Sequence, residues 1–344
     1  MRATTSIAFT VLFTHALIAQ TPNALGWDQV VNGLLGAFDT ADVVALSATR
    51  GRNAAELRTR LVRDPRFPEK ARFIVVEFGN SLLQPILDRY IRGDDVPLEE
   101  LQRVWRDQTQ LQSWDSPVFA EFFAAVRQVN RTLAESKKLH VLGGDSPIDW
   151  TKVATRADYA AFAGGNARDE SLSLVVRSQV LQKREKALVI YGGFHLFRPQ
   201  FPKGIDAANP KRVCVVGTIM GGSDTAYAKF DNTLSVRERP ILVWLKGAAQ
   251  AAFTLNQFSW GARRFVQGKE VPLFPPESTL GDIADAFVYF GRVAGDDADP
   301  EPDPSIYRGT PYGAEVTRRR AILDARPIPP LRRLVSPARA VPVR

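Results

Sequence analysis

The stretch RFIVVEFGN, residues 72–80, is a run of apolar and mostly branched side chains that is interrupted by one carboxylate, Glu77. A run of this kind without alternation is typical of a strand buried on both faces of a parallel sheet. Five further runs have the same character, at residues 42–46, 139–142, 187–191, 212–216 and 286–290. Helical patterns lie between most of them. This alternation predicts an α/β fold in which helices cover both faces of a mostly parallel β-sheet.

Four helices between the strands have recognisable signals. Asn53 and Asn80 are candidate N-caps for helices that follow them, Pro117 can begin a third helix, and residues 168–183 carry apolar positions three and four apart. Two polar or weakly periodic stretches, residues 93–116 and 227–277, are predicted to be insertions into an α/β domain spanning residues 21–316. The first insertion is predicted to form a helical lid.

The first 20 residues have the layout of a secretory signal: Arg2, a 13-residue apolar run from Ile7 to Ala19, and then small or turn-forming residues. A run of this length is too short for a stable membrane anchor, which needs about 18 apolar residues. We therefore expect cleavage near Ala19 or Gln20, export to the periplasm or the medium, and no transmembrane anchor after cleavage. The alternative is a buried N-terminal helix.

The positive charge of the chain is confined to its C-terminal end. Residues 317–344 contain eight arginines and one aspartate, which account for nearly all of the net charge of +8. A basic segment rich in proline and arginine is typical of a solubilising or docking tail. Because the rest of the chain is close to neutral, we expect no nucleic-acid partner.

Polar or glycine-containing segments follow four successive predicted strands. They are Ser47–Gly51, the segment from Glu77 to Asn80, Gly143–Pro147, and Gly192–His195. Ligands of open parallel sheets bind beyond the carboxyl ends of the strands, where such loops converge. The sequence therefore predicts a small-molecule site at this edge of the sheet.

Three of these residues are candidate catalytic groups: Glu77, Asp145 and His195. A set of carboxylates and an imidazole can transfer protons, and Glu77 with His195 could ligate a divalent metal ion. The alternatives are structural, with Glu77 paired to an arginine or to loop backbone and His195 bound to a loop carbonyl. A serine nucleophile has less support because no G-x-S-x-G motif occurs.

Arg168 and Asp169 open a predicted helix whose first turn can project toward the same crevice. We interpret this pair as candidate cofactor-binding residues. The alternative is that the acidic residue stabilises the positive end of the helix dipole. His140, at the start of a strand, is interpreted as structural.

These motifs together resemble the superfamily that includes erythromycin esterases, the Tiki metalloproteases and the ChaN haem-binding proteins. The resemblance lies in VVEFGN at residues 75–80, GGDSPIDW at 143–150, the Arg-Asp helix start at 168–169 and GGFH at 192–195, with a further match near residues 281–291. It covers roughly half of the chain. It implies an α/β fold with a site at the strand ends, and it implies that Glu77 and His195 are site residues.

The chain departs from this superfamily in the loop after the first strand. Members typically carry a glutamate and a histidine there, whereas this chain reads Ser47-Ala48-Thr49-Arg50-Gly51. If Ala48 and Arg50 hold those two positions, half of the expected site is missing. A guanidinium at position 50 would repel a divalent ion and could pair with Glu77 instead. Arg50 is therefore a further candidate ligand-binding residue.

Two functions from different classes remain open. In the first, the protein has a degenerate catalytic site and binds an anionic or amphipathic small molecule through Arg50 and the lid, with haem as an example implied by the resemblance. In the second, it is a metal- or histidine-dependent hydrolase of an ester, lactone or peptide. The missing pair in the first loop is the feature that separates the two.

Overall fold

The computed structural model describes residues 22–48, 50–164, 166–205, 210–219, 224–236, 238–258, 263–266, 269–272, 274–275, 277–291 and 297–323. The predicted signal peptide at residues 1–20 lies outside these described residues. So does most of the predicted C-terminal tail, from residue 324 onward, whereas its first residues, 317–323, belong to a helix that ends at Leu323. No helix within the described ranges is long and apolar enough to cross a membrane.

The centre of the fold is a seven-stranded sheet with the order β3-β2-β4-β1-β5-β9-β6. Its strands are β1 (Val43–Leu46), β2 (Phe73–Asn80), β3 (His140–Asp145), β4 (Ala187–Ile190), β5 (Val213–Ile219), β6 (Ile241–Trp244) and β9 (Ala286–Tyr289). All neighbouring strands are parallel except β6, which pairs antiparallel with β9 at one edge. A separate antiparallel hairpin consists of β7 (Arg263–Val266) and β8 (Lys269–Pro272). The predicted α/β fold with a mostly parallel sheet is confirmed.

Thirteen α-helices accompany the sheet in the described part of the chain. They are α1 (Pro22–Ala37), α2 (Arg52–Arg63), α3 (Phe67–Lys70), α4 (Gln84–Arg92), α5 (Leu98–Arg106), α6 (Pro117–Asn130), α7 (Arg156–Ala163), α8 (Ala167–Val175), α9 (Gly193–Leu196), α10 (Gln200–Ile205), α11 (Asp224–Asn232), α12 (Leu280–Ile283) and α13 (Pro311–Leu323). A π-helical turn, Val176–Val180, continues α8.

Successive strand residues face opposite sides of the sheet, and each side has its own apolar core. Val44, Leu46 and Ile74 pack with helices α1, α2, α4, α5 and α6 in one core. Val43 and Ala45 pack with α8, α10, α11 and α12 in the other. Both sides of the central strands are therefore buried, which is why their sequences are apolar without alternation.

Two glutamine side chains occupy the open backbone groups of the two outer strands. On β3, Gln84 donates to the Val141 carbonyl (2.8 Å) and accepts from the Gly143 N–H (2.8 Å). On β6, Gln29 donates to the Leu242 carbonyl (3.2 Å) and accepts from the Leu242 N–H (2.9 Å). An unpaired edge strand is a template for pairing with another chain, and these amides take up part of each edge.

The predicted helix starts are mostly confirmed. Asn80 accepts a hydrogen bond from the Leu82 N–H (3.0 Å), and a helix begins at Pro117. Asn53 is not the N-cap of α2, because the helix begins at Arg52 after Gly51, whose φ is +96°. The Asn53 N–H donates instead to the carboxylate of Asp297 (2.8 Å), a residue far along the chain.

The predicted insertions differ in their relation to the sheet. Residues 93–116 contain helix α5 followed by an irregular segment between β2 and β3. Residues 227–277 contain strand β6, which is part of the main sheet and was not predicted from the sequence. Its four residues, Ile-Leu-Val-Trp, are all apolar, but Trp244 is exposed and Ile241 is half-buried, so only the two middle residues are fully buried.

We expect Gln84→Ala to lower the free energy of unfolding by about 1–3 kcal/mol, because it leaves two backbone groups of β3 without their partner. Urea unfolding measures the effect. Gln128→Ala, at an exposed position of α6, is the matched control and should change stability by less than about 0.5 kcal/mol. Equal effects of the two substitutions would contradict a role for Gln84 at the sheet edge.

Candidate functional site

Glu77 leaves the regular ladder of β2 at an irregularity near the end of the strand. Val76 pairs with Gly143, but the next pairing joins Asn80 to Asp145, so β2 has more residues than β3 over this interval. The backbones are very close there, since a Cβ on Gly143 would lie 2.7 Å from the Gly79 carbonyl oxygen. The two glycines therefore permit the bulge, and bulges of this kind redirect side chains beside functional sites.

Arg168, in the first turn of α8, lies at the centre of the cluster at the strand ends. Its Nη2 donates to Glu77 Oε1 (2.7 Å) and its Nε donates to Asp145 Oδ1 (2.8 Å). Both carboxylates are almost completely buried, with Glu77 3% and Asp145 0% exposed. A buried carboxylate is costly unless it is paired, so the guanidinium stabilises two acids from two different strands.

Tyr191, the residue directly after β4, completes the interior of this cluster. Its hydroxyl lies 3.4 Å from both Asp145 Oδ1 and Arg168 Nη2. Burial and the nearby Asp145 carboxylate raise the pKa of Tyr191 well above its usual value, so the phenol is neutral and can donate. Burial opposes the charged form of Arg168, but the Asp145 and Glu77 carboxylates outweigh it and raise the pKa of the guanidinium.

His195 forms the outer part of the cluster, in the short helix α9. Its Nδ1 lies 2.5 Å from Asp169 Oδ1, and its Nε2 lies 3.1 Å from Arg168 Nη1. Because a guanidinium only donates, Nε2 must accept, and Nδ1 therefore carries the proton that Asp169 binds. The imidazole is neutral in this arrangement, and 29% of its side chain is exposed.

The two glycines before His195 allow the backbone to approach the cluster. The Gly192 N–H donates to Glu77 Oε2 (2.7 Å), and a Cβ on Gly192 would contact both Glu77 and His195. A Cβ on Gly193 would lie 2.6 Å from the Ser47 hydroxyl oxygen. The loop after β4 therefore packs against both the Glu77 side chain and the end of β1.

The structure brings together five of the residues predicted from the sequence: Glu77, Asp145, Arg168, Asp169 and His195. The structural alternative for Glu77 is also realised, because it pairs with an arginine and with loop backbone. His140 is not part of this cluster. Its ring stacks on the ring of Phe73 at the start of β2, with 4.8 Å between the ring centroids.

Arg50 lies elsewhere, in contact with an aromatic ring. Its guanidinium lies over the Trp114 ring, 4.8 Å from the centroid, and the arginine that binds Glu77 is Arg168. Ala48 is buried, and its carbonyl accepts from Arg58 Nη1 (3.2 Å). Burial lowers the pKa of Arg58 to about 10. The first loop thus faces a buried cation from α2.

Three site residues were not predicted from the sequence. Besides Tyr191, these are Thr109 and Gln110 in the segment after α5. Thr109 donates to Asp145 Oδ2 through its backbone N–H (3.2 Å) and its hydroxyl (2.7 Å), and Gln110 Nε2 donates to Glu77 Oε1 (3.1 Å). Neither has a sequence signal, because polar residues in an irregular segment are predicted to lie in a solvent-exposed loop. Tyr191 is the last residue of the apolar run at 187–191, where the sequence predicts an ordinary core residue.

The arrangement does not fit a divalent metal ion. The described residues contain no group of three or more His, Cys, Asp and Glu side chains that could hold one. Arg168 binds Glu77 and also faces His195 Nε2, which is the atom a metal would need. A fixed cation between the two predicted ligands disfavours a second one, so no metal enters the function proposed below.

Comparison with known proteins gives a likeness of fold. No protein-family profile matches the chain, and no curated protein matches it. Similar solved structures include a Bacillus cereus protein (14% identical, covering 80% of this chain and 94% of that one, TM-score 0.47). A mutant of the erythromycin esterase EreC in its open conformation is 12% identical, with a TM-score of 0.49, and the match covers 75% of this chain and 92% of that one. A succinoglycan biosynthesis protein is 11% identical, with a TM-score of 0.50, and the match covers 79% of this chain and 93% of that one.

At identities this low, these similarities concern the fold alone. The succinoglycan biosynthesis protein and this chain share an α/β architecture over most of both lengths.

We expect Arg168→Met to lower the free energy of unfolding by about 3–5 kcal/mol, because it leaves the buried Glu77 and Asp145 carboxylates without their common partner. Urea unfolding followed by circular dichroism measures the loss. Arg177→Met, at an exposed position in the adjoining π-helical turn, is the control and should have little effect. A loss below about 1 kcal/mol for Arg168→Met would mean that other groups compensate the two acids.

Proposed function

We propose that this protein is a metal-independent hydrolase in which His195 is the general base and Asp169 orients it. The observation that carries the proposal is the Asp169–His195 pair, with 2.5 Å between Oδ1 and Nδ1. A carboxylate on Nδ1–H fixes the tautomer in which Nε2 carries the lone pair. The same carboxylate stabilises the imidazolium that forms when Nε2 takes a proton.

Arg168 supplies the complementary electrophile in this proposal. Its other nitrogens are bound to Glu77 and Asp145, so the guanidinium is held rigidly, and Nη1 faces His195. A substrate carbonyl that accepts from Nη1 would take over that N–H and release Nε2. The guanidinium then stabilises the oxyanion that develops on the carbonyl oxygen.

The proposed reaction is a hydrolysis by water. His195 Nε2 removes a proton from a water molecule, whose oxygen attacks the carbonyl carbon and forms a tetrahedral intermediate. The bond between that carbon and the leaving group then breaks, and the imidazolium returns its proton to the leaving oxygen or nitrogen. The products are a carboxylic acid and an alcohol or amine, and the imidazole ends neutral.

The charges around Arg168 favour a neutral or cationic substrate. Three carboxylates, those of Glu77, Asp145 and Asp169, surround one guanidinium and a neutral imidazole. An anionic ligand would meet a surplus of negative charge there, and this repulsion is strong at a partly buried site.

Beside His195, the exposed ring of Phe194 packs on Phe197 and Phe274 and offers an apolar contact to a substrate. These features support an ester, lactone or peptide with an apolar group.

The second candidate function is binding without turnover. The contact between Arg168 Nη1 and His195 Nε2 favours it, because the lone pair of the proposed base is engaged in this structure. Haem suits the site less well. Its iron would need Nε2, and its carboxylates would add to the negative charge. The first loop, Ser47-Ala48-Thr49-Arg50-Gly51, contains neither glutamate nor histidine, which also supports this candidate.

We further propose that the chain belongs to the superfamily of erythromycin esterases, Tiki metalloproteases and ChaN proteins. The quoted motifs support this placement, and so does the α/β fold with Glu77 and His195 at the strand ends. In this proposal the chain is a divergent member in which Arg168, rather than a metal, faces the histidine.

We expect His195→Ala to lower kcat/KM for hydrolysis of activated esters or lactones by about 10²–10⁴-fold, because the general base is lost. Asp169→Asn should also lower it, while EDTA should have no effect. A panel of p-nitrophenyl esters and lactones, neutral, cationic and anionic, provides the measurement. His140→Ala is the matched control, since that histidine stacks on Phe73 and should leave the rate unchanged.

Absence of turnover across the panel would reject the hydrolase and leave the binding function. Titration with haem, followed by absorbance, then tests that ligand, because no shifted band would exclude it. Hydrolysis that survives His195→Ala would reject the assigned base. Activity lost with EDTA and restored by a divalent ion would contradict the metal-independent mechanism.

We also propose that residues 1–20 direct export of the chain. Expression of the full chain in a bacterial host should yield protein in the periplasm or the medium whose N-terminal sequence starts next to Ala19 or Gln20. Replacing residues in the apolar run by charged ones should keep the uncleaved protein in the cytoplasm. An exported fraction with Met1 intact would contradict cleavage.

A further inference from the structure

The segment Asp107–Ser116 reaches the two buried acids from outside the sheet, and we call it the bridging segment. It connects α5 to α6 and contains neither helix nor strand. Through Thr109 and Gln110 it donates three hydrogen bonds to Asp145 and Glu77. Asp145 is thereby bound on both oxygens, by Arg168 on Oδ1 and by Thr109 on Oδ2.

Because the bridging segment has no regular structure, its position depends on contacts with other elements. Three of these are side-chain hydrogen bonds from the main body of the domain to backbone carbonyls of the segment. Asn80 Nδ2 donates to the Asp107 carbonyl (2.5 Å), Trp150 Nε1 to the Gln108 carbonyl (3.0 Å), and the Tyr159 hydroxyl to the Thr109 carbonyl (2.8 Å). The segment is thus held tightly enough for Thr109 to be completely buried.

Further contacts come from residues 304–323, far along the chain. The Tyr307 hydroxyl donates to Asp115 Oδ2 (2.6 Å), and the Tyr312 hydroxyl lies 2.8 Å from Asp115 Oδ1. Arg319 Nη2 contacts Asp107 Oδ1 (2.5 Å) while its Nη1 donates to the Arg106 carbonyl (2.9 Å). We call Tyr307, Tyr312 and Arg319 the C-terminal clamp, because they hold both ends of the bridging segment.

Two residues of the clamp, Tyr307 and Tyr312, donate hydrogen bonds to the buried carboxylate of Asp115. The Asp115 side chain is only 1% exposed, and Arg106 Nε lies 3.8 Å from it, beyond hydrogen-bond distance. The two phenols are therefore its close donors among the described contacts. Burial and the Asp115 carboxylate raise the pKa values of Tyr307 and Tyr312, so both hydroxyls stay protonated and donate.

We propose that the C-terminal clamp consists of positioning residues for the site. By fixing the bridging segment, Tyr307, Tyr312 and Arg319 hold Thr109 and Gln110 against Asp145 and Glu77, and so keep the Arg168 guanidinium in place. Loss of the clamp lets Arg168 shift relative to His195 while the sheet stays folded. The catalytic part of this inference rests on the proposed hydrolase, but the positioning of His195 and Arg168 does not.

A mutant cycle tests the path from the clamp to the site. Tyr307→Phe with Tyr312→Phe removes both donors to Asp115 with little change in volume, and Thr109→Val removes the hydroxyl bond to Asp145. We expect the two-tyrosine variant to lower kcat by about 10–100-fold with little change in KM, since small displacements of catalytic groups are costly. Adding Thr109→Val should then have little further effect, because both changes act on the same contact.

Tyr90→Phe is the matched control for loss of a phenol. Tyr90 is partly exposed, its ring lies against Arg127, and the substitution should leave kcat unchanged. Urea unfolding of every variant identifies any loss of activity that merely follows unfolding. If the fold-losses in kcat caused by Thr109→Val and by the two tyrosine substitutions multiply in the combined variant, while Tyr90→Phe leaves kcat unchanged, the proposed path is wrong.

A second readout does not require activity. The imidazole ¹⁵N resonances of His195, identified by comparison with His195→Ala and His140→Ala, report the tautomer and the contact with Arg168. They should shift in the two-tyrosine variant and in Thr109→Val, but not in Tyr90→Phe. Unchanged His195 resonances in a folded two-tyrosine variant would reject the positioning role even if no substrate is turned over.

Discussion

The interaction on which the site depends is the pairing of one guanidinium with two buried carboxylates. Arg168 binds Glu77 from β2 and Asp145 from β3, and both acids are almost inaccessible to water. An unpaired carboxylate in such a position would destabilise the fold by several kcal/mol. The same pairing fixes Nη1 of Arg168 in front of His195, so the stability and the chemistry of the strand ends depend on one residue.

This pairing also determines which chemistry the crevice can support. A metal ion and the Arg168 guanidinium would compete for Glu77 and for the His195 lone pair, and the guanidinium occupies both. What remains is a neutral imidazole with its proton on Nδ1, supported by Asp169 and facing a rigid donor. In the proposed hydrolase, such a pair would transfer protons at a substrate carbonyl group.

Much of the fold could be predicted because burial on two faces leaves a clear trace in sequence. The six apolar runs correspond to β1, β2, β3, β4, β5 and β9, all of which lie inside the sheet or along its β3 edge. Strand β6 was missed because its short apolar run, Ile241–Trp244, lies inside residues 227–277, which were interpreted as an insertion. Its place is decided by pairing with β9, a contact between distant residues that no local pattern encodes.

The sequence by itself determined that Glu77, Asp145 and His195 meet, because the carboxyl ends of parallel strands lie at one edge of a sheet. It also placed Arg168 and Asp169 nearby, at the start of a helix that packs beside those ends. Only the tertiary structure decided that Arg168, and not Arg50, binds Glu77. Only the tertiary structure brings Thr109 and Gln110 into contact with the two acids and the clamp into contact with their segment. Periodicity reports burial of regular elements, whereas an irregular segment is placed by hydrogen bonds to partners far away in the chain.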